Sequence, residues 1–597
     1  MTIKAATVID KQTQTHIDSW LQGDYDAETK NSIRLLQQEN PQELINAFYK
    51  TLSFGTGGLR GIMGVGTNRM NFYTIRSATQ GLANHILKQP TTGGKHRVFI
   101  GFDCRHHSHE FAIEAAKVLA ANGIEVFLYK ELRPVANISF GVLHHKCIAG
   151  IMITASHNPP QYNGYKVYWS YGGQVLPPHD QGIIDEVNRV ASLDMVKTAE
   201  FPHPLIHEVG EEIDAAYFHA IRPCQLHPGD NHTHGKDLKV TYTSLHGDGI
   251  TMIPHTLRDW GFTNLNSVEE QAKPDGDFPT VKSPNPEEHA ALAMGIAQLQ
   301  ATGSDLLMGT DPDTDRIGVV TMHQGKPFFF DGNQVACLLL EHLCRSLRQT
   351  QSMPPKPMCI KTIVTTELLR TIANHHQVGC LDVLTGFKYV GEKIHQWEEE
   401  KKTGVTAHHF ILGAEESYGY LIGTHVRDKD AIISAACICE AALQMKLQGK
   451  TLVDLLHEIY MNYGIYREKL LSLTFEGKEG ADKMAKMMAA LRQNPPHLID
   501  GKQVTSFEDY QSRTTYYPES GRKEPLVLPE SDVLRFWLAD GTKLVVRPSG
   551  TEPKIKLYCG VVEKHHHPDL HALQKAIDAC DTKAATFLAS IKRMLLP

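Results

Sequence analysis

The chain has 597 residues and a formal net charge of -7, which argues against nucleic acid as its main partner, because surfaces that bind phosphate backbones are ordinarily basic. Hydrophobic residues make up 41% and charged residues 21%, the composition of a soluble globular protein, and no stretch is long and apolar enough to span a bilayer. The length is too great for one core and predicts about three to five domains.

The first ten residues, Met1 to Asp10, lack the apolar core of a signal peptide, so a cytoplasmic location is expected. Eleven cysteines without a Cys-x-x-Cys pair predict buried free thiols; the nearest pair, Cys437 and Cys439, suits a helix interior. The 33 histidines are scattered, and clusters such as His106-His107, His144-His145 and His565-His566-His567 read as surface features, not metal sites.

Residues 1 to about 50 read as two polar helices, with Pro41 at a helix start. Phe54-Gly55-Thr56-Gly57-Gly58-Leu59-Arg60-Gly61 is a glycine-rich loop whose Arg60 can offer a bidentate fork to phosphate oxygens, and it is not a Walker loop because no Gly-Lys-Ser/Thr follows. Strands at 97–103, 124–129 and 148–153 alternate with a helix at 110–122, the pattern of a parallel sheet. The last of these strands delivers Thr154-Ala155-Ser156-His157-Asn158-Pro159-Pro160, so Ser156 sits in a loop at a strand's carboxyl end, where α/β sheets place their chemistry. Beside a histidine, its hydroxyl is a candidate nucleophile or phosphate carrier. A helix is expected at 180–190, and residues 201–237, rich in Pro, His and Gly, read as a linker.

A second unit opens with a strand at 238–243. A strand at 305–309 then leads into Thr310-Asp311-Pro312-Asp313-Thr314-Asp315-Arg316. Three carboxylates at alternate positions are electrostatically unfavourable without a cation and suit Mg²⁺ or Ca²⁺. The EF-hand pattern fails for want of its glycine and final glutamate. A third unit has strands at 358–364 and 381–384 and a helix at 367–375; the stretch Phe410 to Gly419 is a strand ending in acidic and hydroxyl groups, where Glu415 and Ser417 can hydrogen-bond vicinal sugar hydroxyls, and a long helix at about 429–447 follows. Then come a charged, Met-rich helix at 477–492, a polar segment to Arg522, and a hairpin of 533–538 and 543–546 around Ala539-Asp540-Gly541-Thr542. That hairpin delivers Arg547-Pro548-Ser549-Gly550-Thr551, a plausible phosphate cradle of converging donors, and a helix at about 569–594 closes the chain.

Taken together, four stretches make the chain resemble the α-D-phosphohexomutase family, and within it the phosphoglucomutase and phosphopentomutase branch. They are Thr154 to Pro159 for the phosphoserine loop, Asp311 to Arg316 for the metal loop, Gly413 to Gly419 for the sugar loop and Arg547 to Thr551 for the phosphate loop. The resemblance implies an α/β four-domain architecture, three related mixed-sheet domains and a smaller α+β C-terminal domain around a central cleft. The expected boundaries are 1–225 with the N-terminal arm and phosphoserine loop, 226–345 with the metal loop, 346–475 with the sugar loop and 476–597 with the phosphate loop. Glycines often separate the family's metal-loop aspartates; here Pro312 and Thr314 take those places. The Glu-Glu-Ser pattern is that of glucose-type enzymes.

The resemblance further implies one Mg²⁺ per chain, held by Asp311, Asp313, Asp315 and phosphorylated Ser156, and a sugar 1,6-bisphosphate as activator. Ser156 would hand its phosphoryl group to a sugar hydroxyl, Arg60 and Arg316 would share the charge, and Lys166 or His157 would move the proton, with Lys166 preferred as general base. Arg547, Ser549, Gly550 and Thr551 would hold the non-reacting phosphate, with Lys388 and Arg427 as further anion contacts. The expected partner is a small phosphosugar, with neither nucleic acid nor membrane, for a monomer or weak homodimer. Glucose phosphate is the first substrate expected, ribose phosphate or glucose-1,6-bisphosphate synthesis the alternative. A metal-dependent phosphatase and a non-catalytic sugar-phosphate sensor are the rival readings.

Overall fold

The computed structural model describes residues 9–55, 57–91, 94–405, 407–475, 477–549 and 554–596. They form two compact units, one of the described residues within 1–320, 390–403 and 419–440, the other of those within 321–389, 404–418 and 441–597.

In the first unit, strands β1 (Gly58–Ile62), β2 (Arg97–Phe102), β3 (Glu125–Tyr129), β4 (Ala149–Ile153), β5 (Tyr162–Trp169) and β6 (Ile206–Val209) make a six-stranded sheet in the order β1-β5-β4-β2-β3-β6. Neighbours from β4 to β6 run parallel, while β5 returns antiparallel to β4 and β1 antiparallel to β5. The inner parallel strands β2, β3 and β4 are mostly apolar because both faces are covered. Val98, Ile100, Val126, Ile151 and Val167 share a core with the helices Phe72–Leu87 and Ser108–Ala121. On the other face, Ile138 of the helix Val135–His144 reaches Gly101 and Gly150. Asn71 starts the first of these helices with a capping box: its side chain accepts from Thr74 N at 3.0 Å and its N–H donates to Thr74 Oγ1 at 3.0 Å.

Two expectations change here. The N-terminal arm holds three helices, Lys11–Gln22, Ala27–Glu39 and Pro41–Phe48, because Asn40 both ends the second and caps the third, accepting from Glu43 N at 3.2 Å. Residues 201–237 are not a linker. They supply β6 and the helices Glu211–Ile221 and Pro228–His234. A four-residue edge strand with His207 and Glu208 exposed is too short and too polar to register as a periodic pattern. Further along, β7 (Val240–Thr243) lies parallel to both β8 (Leu265–Ser267) and β9 (Leu306–Thr310), and the aspartate loop joins β9 to β10 (Ile317–His323).

In the second unit, the strand Pro357–Thr362 runs parallel to both Gly379–Val383 and His409–Glu415. The C-terminal sheet contains the expected hairpin, Leu534–Leu538 against Lys543–Pro548, with Lys554–Glu563 beside it. The segment before Arg522 is more ordered than its polarity suggests, with strands Lys502–Asp509 and Thr514–Tyr517 paired through Phe507 and Tyr516. A charge network of buried cations and half-buried carboxylates ties the hairpin to the rest of this unit. Lys361 Nζ lies 2.8 Å from Glu367 Oε1 and 3.0 Å from Asp382 Oδ1; Lys543 Nζ lies 3.0 Å from the same Glu367 oxygen; Arg535 reaches Glu508 at 2.7 Å and Asp382 at 3.4 Å. Buried charges survive only when paired, so each of these groups specifies the position of the next. Lys543 begins the strand that ends at Arg547 and Pro548. All eleven cysteines are free thiols.

Gly58 fixes the register of β1. It lies opposite Lys166 at φ +125°, and a Cβ there would stand 1.8 Å from the Tyr165 carbonyl oxygen. Gly64, at φ +143°, has nothing within 4 Å of such a Cβ. Gly58→Ala is therefore expected to lower the melting temperature clearly more than Gly64→Ala, which incurs only backbone strain of about 1–3 kcal/mol. Equal losses in thermal melts would show that close approach to β5 does not constrain this position.

Candidate active site

The β4–β5 hairpin builds the centre of the site. Its loop puts Ser156 at φ +52°, a left-handed conformation that costs a non-glycine residue free energy and must be held by its surroundings. Ser156 N–H donates to Thr154 Oγ1 at 2.9 Å, and Thr154 N–H donates to the Gly164 carbonyl across the hairpin at 3.1 Å. A Cβ on Gly164 would meet the Thr154 oxygen at 2.5 Å, so only glycine permits this closure. Side chains alternate along β5, which places Lys166 on the same face as Gly164; Arg60 of β1 lies opposite Gly164 on that face.

The aspartate loop meets the serine loop there. Ser156 Oγ donates to Asp311 Oδ2 at 2.9 Å and lies 3.1 Å from His157 Nδ1. Thr154 Oγ1 donates to Asp313 Oδ2 at 3.2 Å. Lys166 Nζ sits 2.7 Å from Asp313 Oδ2 and 3.4 Å from Asp315 Oδ2. The loop itself is a tight turn: Thr314 is left-handed at φ +56°, and the N–H groups of Asp315 and Arg316 both donate to Asp311 Oδ1 at 3.0 Å. Ligand atoms of Asp311, Asp313 and Asp315 lie within 4.8 Å of one another and all three residues are buried.

Charge states follow from this crowding. Burial, then Asp315 and Asp313, push Asp311 well above the usual carboxylate range. Burial would raise Asp315 too, but Lys429, Lys166 and Arg316 outweigh it and hold its carboxyl low. Burial would depress Lys166, yet Asp313 and Asp315 keep its ammonium above its ordinary range. His157 is pushed well below the usual imidazole range by burial and then by Arg316 and Arg60, so it is neutral near pH 7. Asp313 Oδ1 and Asp315 Oδ1 are buried without a hydrogen-bond partner, the condition a hard cation would relieve. All-oxygen donors in this geometry suit Mg²⁺.

Arg60 donates to Asn158 Oδ1 at 3.1 Å, and Arg316 is paired with Glu287. Two cations went unforeseen. Lys429, at the helix start assumed from sequence, instead precedes the helix Ala431–Lys446 and reaches Asp315 Oδ2 at 3.2 Å. Arg105 follows β2 and is buried beneath the serine loop, donating to four of its carbonyls, including Ser156 O at 2.6 Å. The Asp103-Cys104-Arg105 triplet after an apolar strand was the available signal. Arg427 does not present its charge to this cluster: it is buried, paired with Glu398, and donates to Val426 O at 2.9 Å.

The remaining candidates lie in the second unit. Glu415 is buried at the end of its strand, and its Oε1 accepts from Gly386 N at 2.9 Å. Tyr418, after the half-buried Ser417, is left-handed at φ +64°. Lys388 Nζ lies 5.1 Å from the Tyr389 ring centroid. Burial and then Glu415 raise the neighbouring Glu416, opposed by Lys556 and Arg547. Arg547 pairs in register with Lys556, and Ser549 N–H donates to Lys554 O at 2.7 Å. Gly550 and Thr551 lie outside the described residues.

Four successive family domains match along the chain: phosphoglucomutase/phosphomannomutase alpha/beta/alpha domain I over residues 51–194, domain II over 215–325, domain III over 331–463 and the C-terminal domain over 476–578. The chain belongs to the phosphoglucomutase/phosphomannomutase family. It is similar to the phosphoglucomutase of Staphylococcus epidermidis RP62A, 36% identical over 532 residues that span 88% of this chain and 93% of the relative. The phosphoglucomutase of Staphylococcus aureus USA300 is likewise 36% identical, over 87% of this chain and 92% of its own length. In fold, the chain resembles a putative phosphomannomutase from Thermus thermophilus (TM-score 0.64, 21% identity, 90% of this chain and 99% of that one). It also resembles pp63/parafusin from Paramecium (TM-score 0.63, 17% identity, 90% and 95%). The expected four-domain α/β architecture is thereby established, as is the enzyme class: an intramolecular phosphotransferase, an isomerase of carbohydrate metabolism. No helix among the described residues is long and apolar enough to cross a membrane.

Adding Mg²⁺ to chelator-treated protein should raise its melting temperature, since a ligand at a hundredfold over Kd stabilises the folded state by about 2.7 kcal/mol. Asp313→Asn should abolish most of that shift. Identical melting with Mg²⁺ and with chelator would mark the loop as an acidic turn only.

Proposed function

We propose that this enzyme interconverts glucose 1-phosphate and glucose 6-phosphate through a phosphorylated Ser156 and a glucose 1,6-bisphosphate intermediate. The observation that carries this reading is Ser156 Oγ, 2.9 Å from Asp311 Oδ2 at the edge of a three-aspartate cluster. A hydroxyl set against a cation site needs little covalent help to carry a phosphoryl group, because such transfer is governed by positioning and charge neutralisation. The name phosphoglucomutase on relatives 36% identical over most of the chain supports glucose over other sugars.

In the first transfer the Ser156 Oγ–phosphorus bond breaks and a bond from phosphorus to a sugar hydroxyl oxygen forms; in the second, the sugar's other oxygen–phosphorus bond breaks and the Ser156 Oγ–phosphorus bond forms again. In the first transfer the hydroxyl loses a proton and Ser156 Oγ gains one, and in the second Ser156 Oγ loses a proton and the freed sugar oxygen gains one, so the site needs a group that accepts and a group that donates. Lys166, whose Nζ lies 2.7 Å from Asp313 Oδ2, and His157, whose Nδ1 lies 3.1 Å from Ser156 Oγ, are the groups placed to move these protons, with Lys166 preferred as general base. Asp311, Asp313 and Asp315 would hold Mg²⁺, which would neutralise charge on the transferring group. Arg60 and Arg316 share the remaining charge. Arg547 and Ser549, with Gly550 and Thr551, grip the non-reacting phosphate, Glu415 and Ser417 bind sugar hydroxyls, and Lys388 adds an anion contact. Turning the bisphosphate between two transfers lets either end of the sugar face Ser156.

The test is a panel of hexose and pentose 1-phosphates assayed for kcat/KM with a bisphosphate activator, alongside mass spectrometry of the Ser156 peptide. Glucose 1-phosphate should give the highest kcat/KM, and Ser156 should carry phosphate. Higher kcat/KM for ribose 1-phosphate, or a Ser156→Ala protein with near-normal turnover, would overturn the proposal. Arg547→Ala removes a charged contact worth about 1.5–3 kcal/mol and is expected to lower kcat/KM roughly ten- to a hundredfold while Ser156 still accepts phosphate from the bisphosphate.

A further inference from the structure

We propose that Arg105 is a positioning residue for the phosphoryl-carrying serine, setting Ser156 Oγ against Asp311; the inference rests on the proposed role of Ser156. Arg105 is 3% exposed, and its guanidinium gathers four carbonyls of the serine loop: Ser156 at 2.6 Å, Asn158, Pro159 at 2.9 Å and Tyr162 at 3.0 Å. Carbonyl oxygens converging on one buried point repel one another unless a multidentate cation lies among them, and a planar five-donor fork fits where a point charge does not.

The fork is itself held from behind and above. Asp103 Oδ2 stands 3.4 Å from Arg105 Nε, while Asp103 Oδ1 accepts from Arg105 N at 3.0 Å and from Ser108 Oγ at 2.7 Å. Phe278 covers the guanidinium, its ring centroid 5.0 Å away. Phe278 belongs to the segment that packs on the Arg105 turn from the region carrying the aspartate loop: Asp277 Oδ1 lies 2.7 Å from His106 Nε2, and a Cβ on Gly276 would stand 2.8 Å from His106 N. Arg105 thus stands where the serine loop meets the part of the unit that carries Asp311. It touches neither Ser156 Oγ nor Asp311; it fixes the backbone that must hold Ser156 in its left-handed conformation.

The test compares Arg105→Lys, Arg105→Ala and Phe278→Leu with wild type in circular dichroism, steady-state kinetics and stoichiometric phosphorylation of Ser156. Misplacing a reacting group by about 1 Å costs on the order of a hundredfold, so kcat of Arg105→Lys should fall about that much with KM within roughly threefold. Phe278→Leu should lower kcat severalfold with KM unchanged. Guanidinium ion should restore Arg105→Ala at least about tenfold, where sodium chloride of equal ionic strength does not. A folded Arg105→Lys with wild-type kcat would overturn the inference, as would losses that fall on KM or that guanidinium leaves untouched. If Arg105→Lys does not fold, Phe278→Leu with unaltered kcat overturns it. Wild-type protein that neither phosphorylates Ser156 nor turns over would instead refute the proposed function.

Discussion

Three carboxylates buried within 4.8 Å of one another are the constraint around which the first unit is arranged. Two like charges at that separation repel by about 3–4 kcal/mol even at an effective dielectric of 20, and a third compounds the cost. The protein offsets this in three ways. Lys166 and Lys429 come in from different parts of the chain to Asp313 and Asp315; the turn's own amides and Ser156 Oγ serve Asp311; and Asp311 is driven toward its neutral form. Two carboxylate oxygens, Asp313 Oδ1 and Asp315 Oδ1, still lack hydrogen-bond partners, so the cluster is incomplete as a purely structural device.

Meeting that constraint requires a sheet that is not wholly parallel. Because β5 turns back beside β4, the strand that leads into the serine loop and the strand that leaves it are neighbours, and Ser156 and Lys166 arrive at the aspartates from one rigid hairpin. A crossover helix after β4 would have carried the next side chain to another sheet position. β1 then adds Arg60 through the Gly58–Lys166 pairing. Positioning by strand register is less tolerant of slippage than positioning by a free loop, which suits a reaction governed by placement.

The apolar strands and the loops at their carboxyl ends were legible in the sequence, because fully buried parallel strands read as continuous hydrophobic runs and the four motif loops concentrate unusual residue types. What was not legible was contact between distant segments. Lys429 read as the first residue of a helix, yet it is an inward-facing cation, and no local pattern distinguishes the two. For Arg105 the triplet after β2 was the one local sign, because its partners are backbone carbonyls more than fifty positions away, which impose no side-chain pattern. Arg427 shows the limit from the other side: an arginine near a candidate site invites an anion, and no local pattern shows that Glu398 and backbone oxygens also pair with it. The strand in the supposed linker was missed because four residues on a sheet edge carry too little burial to show.

The free cysteines make each unit its own reporter of opening. Cys104, Cys147, Cys224, Cys437 and Cys439 lie in one unit and the other six in the second. Burial raises most of these thiols, pushing Cys224 and Cys344 to about 12, so they are poor nucleophiles while the surrounding fold is closed. Cys380 differs: it lies opposite Cys359 on adjacent strands, and a hydrogen bond from Cys359, with help from Lys361 and Arg370, lowers it. In native-state alkylation Cys380 would be modified first, and the order in which the others follow would separate local fraying of one unit from the cooperative unfolding of the other.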